Sequence, residues 1–275
     1  MIVDGRALAR EILARVKARA TNLPKPPRIL AIAANETPST RSYLSIKQRR
    51  AEEAGCVLTF IQMPDNTSTA ALHAAVLSAD ADAVIVQLPL PAGVDTKAVC
   101  DAIQLEKDAD VLSSSARERF EGGDTAALLP PVVGAVKEIL MANNVGLDGK
   151  NAVVVGSGFL VGAPVATWLR QQGAEVVVVT SKSGNLKEAL LNADIVVSGA
   201  GSPHLIKPDV LTQGVILIDA GTSESNGEVV GDADPTCAEK CSFFTPVPGG
   251  MGPLAVAKLF ENAVTLAERS GVHFL

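Results

Sequence analysis

Tyr43 and Lys47 stand four residues apart in a helical pattern and therefore share one helix face. A lysine taken out of water holds its proton less tightly and can act as a base near neutral pH. A tyrosine beside it can stack on a flat substrate. The same spacing also describes a half-buried aromatic next to a surface charge. Gln87 lies near the carboxyl end of the apolar run 83–88, where α/β sheets place ligand-binding groups. A backbone-capping amide is the plainer reading of Gln87. Downstream, Asp108 and Asp110 fall in an irregular segment, LEKDAD. They could accept hydrogen bonds from a ring bearing amino donors, or be solvated loop acids.

A different chemistry is written in the second half. The apolar run 152–155 leads into Gly156, Ser157, Gly158, Phe159, Leu160, Val161 and Gly162, and a helical pattern follows. Such a GxGxxxG turn lets the backbone approach a pyrophosphate, whose charge then lies at a helix N-terminus. After the next apolar run come Ser181, Lys182 and Ser183, where NAD binders usually place an acid. A cation with hydroxyls suits a ribose 2′-phosphate, so NADP is favoured and NAD remains possible. A solvated surface lysine is the plain alternative for Lys182. Near the end, TPVPGGMGP places Pro248, Gly249 and Gly250 in a loop with little side chain, which lets backbone press on a flat ligand.

The elements that must position these groups alternate in type. Strand-like apolar runs occupy 29–34, 57–61, 83–88, 152–155, 176–180, 195–198 and 215–219. Helical patterns lie around Leu8 to Val16 and at 42–54, 70–78, 132–143, 161–172, 186–192 and 254–270. This βαβα rhythm predicts an α/β fold with parallel sheets. The stretch 113–131, with its serines, charges, GGD and Pro-Pro, reads as a domain boundary. A new nucleotide-binding unit therefore starts after this stretch, and the last helical pattern, from 254 onward, could pack on either domain.

Composition agrees. The chain has 275 residues, 47% hydrophobic and 3% aromatic, so its core must be aliphatic, as buried parallel sheets require. A net charge of −6 argues against nucleic acid as a partner. Four cysteines without metal-ligand spacing read as reduced thiols, which suits the cytoplasm, and no metal is expected. The N-terminus carries Arg and Glu within its apolar pattern, unlike a signal peptide, and no apolar run is long enough for a membrane span.

Together YLSIK (43–47), VQLPLP (86–91), KDAD (107–110), GSGFLVGAP (156–164), SKS (181–183) and TPVPGGMGP (245–253) resemble the bifunctional methylenetetrahydrofolate dehydrogenase/cyclohydrolase family. The motifs fall in the family's order, and the resemblance implies two α/β domains with a cleft between them: a folate-binding catalytic domain of residues 1–128 plus 254–275, and a Rossmann-type NAD(P)-binding domain of residues 129–253. The resemblance implies oxidation of a methylene-tetrahydrofolate with NADP, hydrolysis of the methenyl product to the formyl derivative, a role in purine biosynthesis, and a cytoplasmic homodimer. It implies that Lys47 is the catalytic lysine, Tyr43 the stacking tyrosine, Gln87 the lysine's hydrogen-bond partner and Asp110 the pterin-holding acid. Val86, Leu88, Pro89, Pro248, Gly249 and Gly250 would line the folate site. Gly156, Ser157, Gly158, Val161, Gly162, Ser181, Lys182 and Ser183 would hold the dinucleotide. Three places depart from the family pattern. Val111 and Leu112 stand where Gly and an aromatic are usual. Pro130, Pro131, Val132 and Val133 replace a Pro-Cys-Thr-Pro stretch. Ser157, Gly158 and Ala163 occupy loop positions where an Arg or Ser is common. A dehydrogenase alone, another two-domain NADP oxidoreductase of the shikimate-dehydrogenase type, and a non-catalytic folate or nucleotide binder are the competing readings.

Overall fold

The computed structural model describes residues 1–34, 38–182, 185–225 and 228–271, without the side chains of 38–43. In chain order the elements are α1 (Gly5–Thr21), β1 (Arg28–Ala33), α2 (Pro38–Glu53), β2 (Val57–Gln62), α3 (Thr69–Leu77) and β3 (Ala83–Val86). Then come α4 (Thr96–Asp101), α5 (Ser114–Glu121), α6 (Pro131–Ala142), β4 (Asn151–Val155), α7 (Gly162–Gln171), β5 (Glu175–Val179) and α8 (Leu186–Leu191). The chain continues with β6 (Ile195–Ser198), β7 (Val215–Asp219), β8 (Ser223–Ser225), β9 (Glu228–Val230), β10 (Cys241–Thr245) and α9 (Met251–Gly271).

Two compact units result. One comprises Arg10–Pro131 with Val256–Leu275, the other Met1–Ala9 with Val132–Ala255. In the first, called here the lysine unit, three parallel strands run in the order β2-β1-β3. Parallel neighbours need crossover connections, and α2 and α3 supply them. All four residues of β3 are buried, so it reads as a continuous apolar run. Val84 and Val86 pack with Ile32, Leu72, Val99 and Ile103. Each such side chain contributes about 1.5–3 kcal/mol over leaving it in water. Arg19 of α1 grips Glu268 of α9 through two bonds of 3.0 and 2.6 Å, tying the chain's last helix to this unit.

The other, the glycine unit, holds five parallel strands in the order β10-β7-β6-β4-β5. The ladder places Val155 level with Val179 and Ser198, and Ser198 level with Asp219. The carboxyl ends of these strands are thus aligned. The core is aliphatic, with Val153, Val196, Leu190 and Leu217 at its centre.

Several boundaries differ from the sequence expectation. Helix α2 begins at Pro38, earlier than residue 42, because proline is tolerated in a first turn. The 113–131 stretch contains α5: Ser113 caps it by accepting from Ala116 N, Glu118 and Arg119 face solvent, and Arg117 is buried. Strand β10 and the β8–β9 hairpin were not expected, since FFT merges with the Pro/Gly-rich loop in sequence. Helix α9 starts at Met251 rather than 254, with Pro253 in its first turn. Main-chain bonds from Val3 N to Phe244 O and from Phe244 N to Met1 O, both 2.9 Å, run the first residues along β10. The first nine residues therefore fall in the glycine unit.

Candidate active site and dinucleotide loop

In the lysine unit the strand order reverses at β1, with β2 on one side and β3 on the other. Ligands of open α/β sheets bind at the carboxyl ends beside such a point. Gln87 stands there: its N–H donates to Ile32 O at 2.8 Å, extending β3 by one rung. The Leu88–Pro89 peptide that follows is cis. Lys47, on α2, is buried to 8% exposure. Its Nζ donates to Gln87 Oε1 at 2.9 Å, and Gln87 Nε2 donates to Leu88 O at 2.9 Å. The amide is thereby held with its oxygen toward the lysine.

Burial lowers the Lys47 pKa from its ordinary value, and the nearby Asp110 carboxylate opposes that shift. The half-buried Asp110 shows the converse: burial raises its pKa, while Lys47 lowers it and Asp108 adds to the rise. A lysine with an amide as hydrogen-bond partner is poised to exchange its proton, which a tight carboxylate salt bridge would prevent.

The two aspartates have separate tasks. Asp108 is 1% exposed and accepts from Leu112 N (3.0 Å), Ser113 N (2.8 Å) and Ser113 Oγ (2.6 Å). It also bridges to Val84 alongside β3. Asp108 therefore builds the loop and Asp110 is presented by it. Between them Asn262 of α9 donates to Ala109 O and Leu129 O, each at 2.9 Å. Val111, wholly buried, has φ +55°, a left-handed conformation costly for a β-branched residue.

The other folate-site candidates divide. Val86 is buried in the core cluster, Leu88 packs partly against it, and Pro89 is exposed. Pro248, Gly249 and Gly250 lie in the glycine unit, after a cis Val247–Pro248 bond. Gly250 N donates to Pro246 O at 2.7 Å, and a Cβ on Gly5 would lie 2.0 Å from Gly250 O. The loop is thus closed on itself and packed on the start of α1. Tyr43 lies in α2 with its side chain outside the described residues.

In the glycine unit the strand order reverses at β4, between β5 and β6. Gly156 follows β4 directly, with φ +98° and its N–H on Val179 O at 2.8 Å. Any Cβ there would strike Gly199 O at 2.7 Å. A Cβ on Gly162 would fall 2.1 Å from Gly156 O, so the first turn of α7 is pressed onto the loop. Over Gly158, in contrast, there is open space. Ser157 and Gly158 are exposed, and Val161, the N-cap of α7, gives that helix no side-chain hydrogen bond. An uncapped helix start behind an open glycine suits a phosphate. Ser181 and Lys182 are exposed just beyond β5, the position for a ribose 2′ group. Ser183 lies outside the described residues. These residues fit a dinucleotide.

Comparison with known proteins decides the family. Residues 3–110 match the catalytic-domain model of tetrahydrofolate dehydrogenase/cyclohydrolase, and residues 130–271 match its NAD(P)-binding-domain model. The chain belongs to the tetrahydrofolate dehydrogenase/cyclohydrolase family. It is 37% identical over 276 aligned residues to the bifunctional protein FolD of Lacticaseibacillus paracasei, covering 97% of each chain. The crystal structure of the bifunctional FolD methylenetetrahydrofolate dehydrogenase/cyclohydrolase from Campylobacter jejuni superposes with a TM-score of 0.94 at 30% identity, over 98% of this chain and 99% of that one. The Trypanosoma brucei enzyme, solved with NADP cofactor and an inhibitor, gives 0.93 at 30% identity, over 98% of each chain.

Sequence reasoning missed several groups in this family member. Asn262, a polar residue within α9, carries no local signal of its role. Asp219, at the end of β7, is wholly buried and accepts from Gly221 N, Asp232 N and Ala233 N. Burial pushes its pKa up to about 6. Asp232, also wholly buried, accepts from Ser198 Oγ, Ala200 N and Ser202 N. An acid directly after an apolar run, as in ILID, was the available signal for Asp219. Nothing local marks Asp232. All four cysteines are buried free thiols, and no metal-binding cluster occurs among the described residues.

Proposed function

We propose that the protein oxidises 5,10-methylenetetrahydrofolate to the 5,10-methenyl form with NADP and hydrolyses that product to 10-formyltetrahydrofolate. The observation that carries this reading is the buried Lys47–Gln87 pair beside Asp110 at the carboxyl end of a parallel sheet. Asp110 accepts hydrogen bonds from the pterin ring and orients it, and the Tyr43 ring stacks on it. Leu88, Pro89 and the backbone at Val86 bound the folate site, and the family motif assigns a folate-binding role to Pro248, Gly249 and Gly250 as well. The dinucleotide is held by Gly156, Ser157, Gly158, Val161 and Gly162, with Ser181, Lys182 and Ser183 toward the 2′-phosphate. NADP, when bound, supplies the hydride acceptor.

For hydrolysis the chain's own residues suffice. Neutral Lys47 accepts a proton from water as its oxygen adds to the electrophilic methenyl carbon. It then returns that proton to the ring nitrogen whose bond to that carbon breaks, and the hydroxyl gives up its remaining proton to solvent as the formyl C=O forms, so one proton is released per turnover. Gln87 fixes the amine through both changes of protonation, since its oxygen accepts from either form. Burial favours the neutral amine before the cationic substrate arrives.

The same reading makes residues 1–128 with 254–275 the folate-binding domain and residues 129–253 the NADP-binding domain. It includes a cytoplasmic location, supported by four buried unpaired thiols, and a role in purine biosynthesis, supported by a formyl-carrying product. A homodimer is supported by β5, an edge strand on which Val177 is 54% exposed.

Absorbance on mixing the protein with methylenetetrahydrofolate and NADP tests the reading. Reduced nicotinamide should appear without lasting methenyl absorbance. A methenyl species that decays only at its spontaneous rate would leave a dehydrogenase alone, and no reduced nicotinamide would overturn the reading. Lys47→Met should lower hydrolysis by roughly 100- to 10,000-fold, the usual worth of a positioned acid–base group, and hydride transfer by less.

A further inference from the structure

The loop after β6 faces the loop after β4 across the point where the strand order reverses. Their contact is intimate. The Cβ missing from Gly156 would lie 2.7 Å from Gly199 O and 3.1 Å from the Cα of Ala200. The Cβ missing from Gly199 would lie 2.3 Å from Cγ1 of Val161, the N-cap of α7. Residues 199–202 thus form one wall of the dinucleotide loop. Gly199 N donates to Val155 O at 2.9 Å and fixes the start of this segment; beyond it, nothing in GAGS itself holds the turn there.

The hold comes from one buried carboxylate. Asp232 Oδ2 accepts from Ser198 Oγ at 2.6 Å and from Ala200 N at 2.7 Å, and its Oδ1 accepts from Ser202 N at 2.7 Å. The three donors span the end of β6 and the turn beyond it. Asp232 is itself fixed: its N–H donates to Asp219 Oδ1 at 3.2 Å. A Cβ on Gly221 would lie 2.2 Å from its Cγ, so glycine leaves the carboxyl its space.

We infer that Asp232 is the positioning residue of the NADP site, setting the 199–202 loop against the glycine loop so that the cofactor meets a preformed wall. This deepens, and rests on, the assignment of the glycine loop to NADP. An asparagine is nearly isosteric but has one acceptor oxygen. If that oxygen keeps Ser198 and Ala200, the amide N–H₂ faces the Ser202 N–H, donor against donor, and the far side of the loop is released.

Calorimetric titration of NADP into the full-length wild type and into Asp232→Asn tests this. The variant should bind roughly 10- to 100-fold more weakly, the worth of about one charge-assisted hydrogen bond. The KM for NADP should rise by a similar factor with kcat changed far less. Equal affinity in wild type and variant overturns the proposal and leaves the NADP assignment standing. A wild type that does not bind NADP overturns the assignment itself. Loss of NADP affinity matched by equal loss of methenyl-folate hydrolysis overturns the proposal, since Asp232 would then support the whole molecule. If Asp232→Asn does not fold, Ser202→Pro, which deletes one donor at the loop's far side, must show the same weakening, and unaltered affinity there overturns the proposal.

Discussion

Val111 tests how the acid of the active site is held. It follows Asp110, is wholly buried, and sits at φ +55°. A β-branched residue in that region costs about 1–3 kcal/mol and persists only where its surroundings dictate it. Here they do: Asp108 takes the N–H groups of Leu112 and Ser113, and Asn262 takes the carbonyl of Ala109. The turn is imposed from both ends, and the sequence places valine where the family usually has glycine. Replacement by alanine loses buried methyl groups and keeps a Cβ in the strained region. Replacement by glycine loses little more and removes the strain. We expect Val111→Gly to be more stable than Val111→Ala by roughly 1 kcal/mol, the reverse of the usual order. Urea unfolding of the two variants measures it, and an alanine variant that is the more stable would mean the backbone relaxes on its own. The candidates Lys47, Gln87 and Asp110 were visible in the sequence through the motifs YLSIK, VQLPLP and KDAD, whereas their local patterns alone also fitted a surface charge, a backbone-capping amide and a solvated loop acid. The strain at Val111 was not visible, because φ depends on the clamps around it.

Among the elements, α9 does more than complete a core. It is the last helix, yet Asn262 reaches the segment that presents Asp110, while Arg19 and Glu268 fasten α9 to α1. That ion pair is about one-third exposed on each side and is worth only about 0.2–1 kcal/mol. The buried amide matters more. Asn262→Ala leaves two carbonyls without their donor, each costing about 1–3 kcal/mol. We expect a stability loss of about 2–4 kcal/mol and a higher KM for methylenetetrahydrofolate. An unchanged KM in a destabilised variant would assign Asn262 to packing alone. Strands β1 to β7 were legible as apolar runs, most plainly β3 and β6, which are buried at every residue and have no polar face to break the run. Strand β10 was not, because its pairing with β7 is settled far away in sequence and its own residues run straight into TPVPGG.

At the scale of the whole molecule, Asp219 contributes a pH dependence to stability. Its carboxyl is raised from 3.8 to about 6 in the folded protein, chiefly by burial. The folded state therefore binds this proton more tightly than the unfolded chain. The stability that proton confers is fully present below about pH 3.8 and is lost as pH rises through about 6. The size is on the order of 3 kcal/mol. Asp219→Asn has no such proton, so the unfolding free energy of wild type minus variant should fall by about that much between pH 4 and pH 7. A difference that stays flat across this range would show that Asp219 titrates as an exposed acid. The sequence by itself determined the alternation of strand and helix, two α/β units, the glycine loop and the identities of the chemical groups. Those features depend on periodicity and on short-range motifs, which are local. Only tertiary structure decided that Asp108 builds a loop while Asp110 faces Lys47, that Asn262 holds the residue between them, and that Asp219 and Asp232 tie the ends of β6 and β7 together. Asp108 finds its donors four and five residues on, but Asn262 and Asp232 reach partners far away in sequence, and a buried polar group takes its role from whichever groups the fold brings within hydrogen-bond reach.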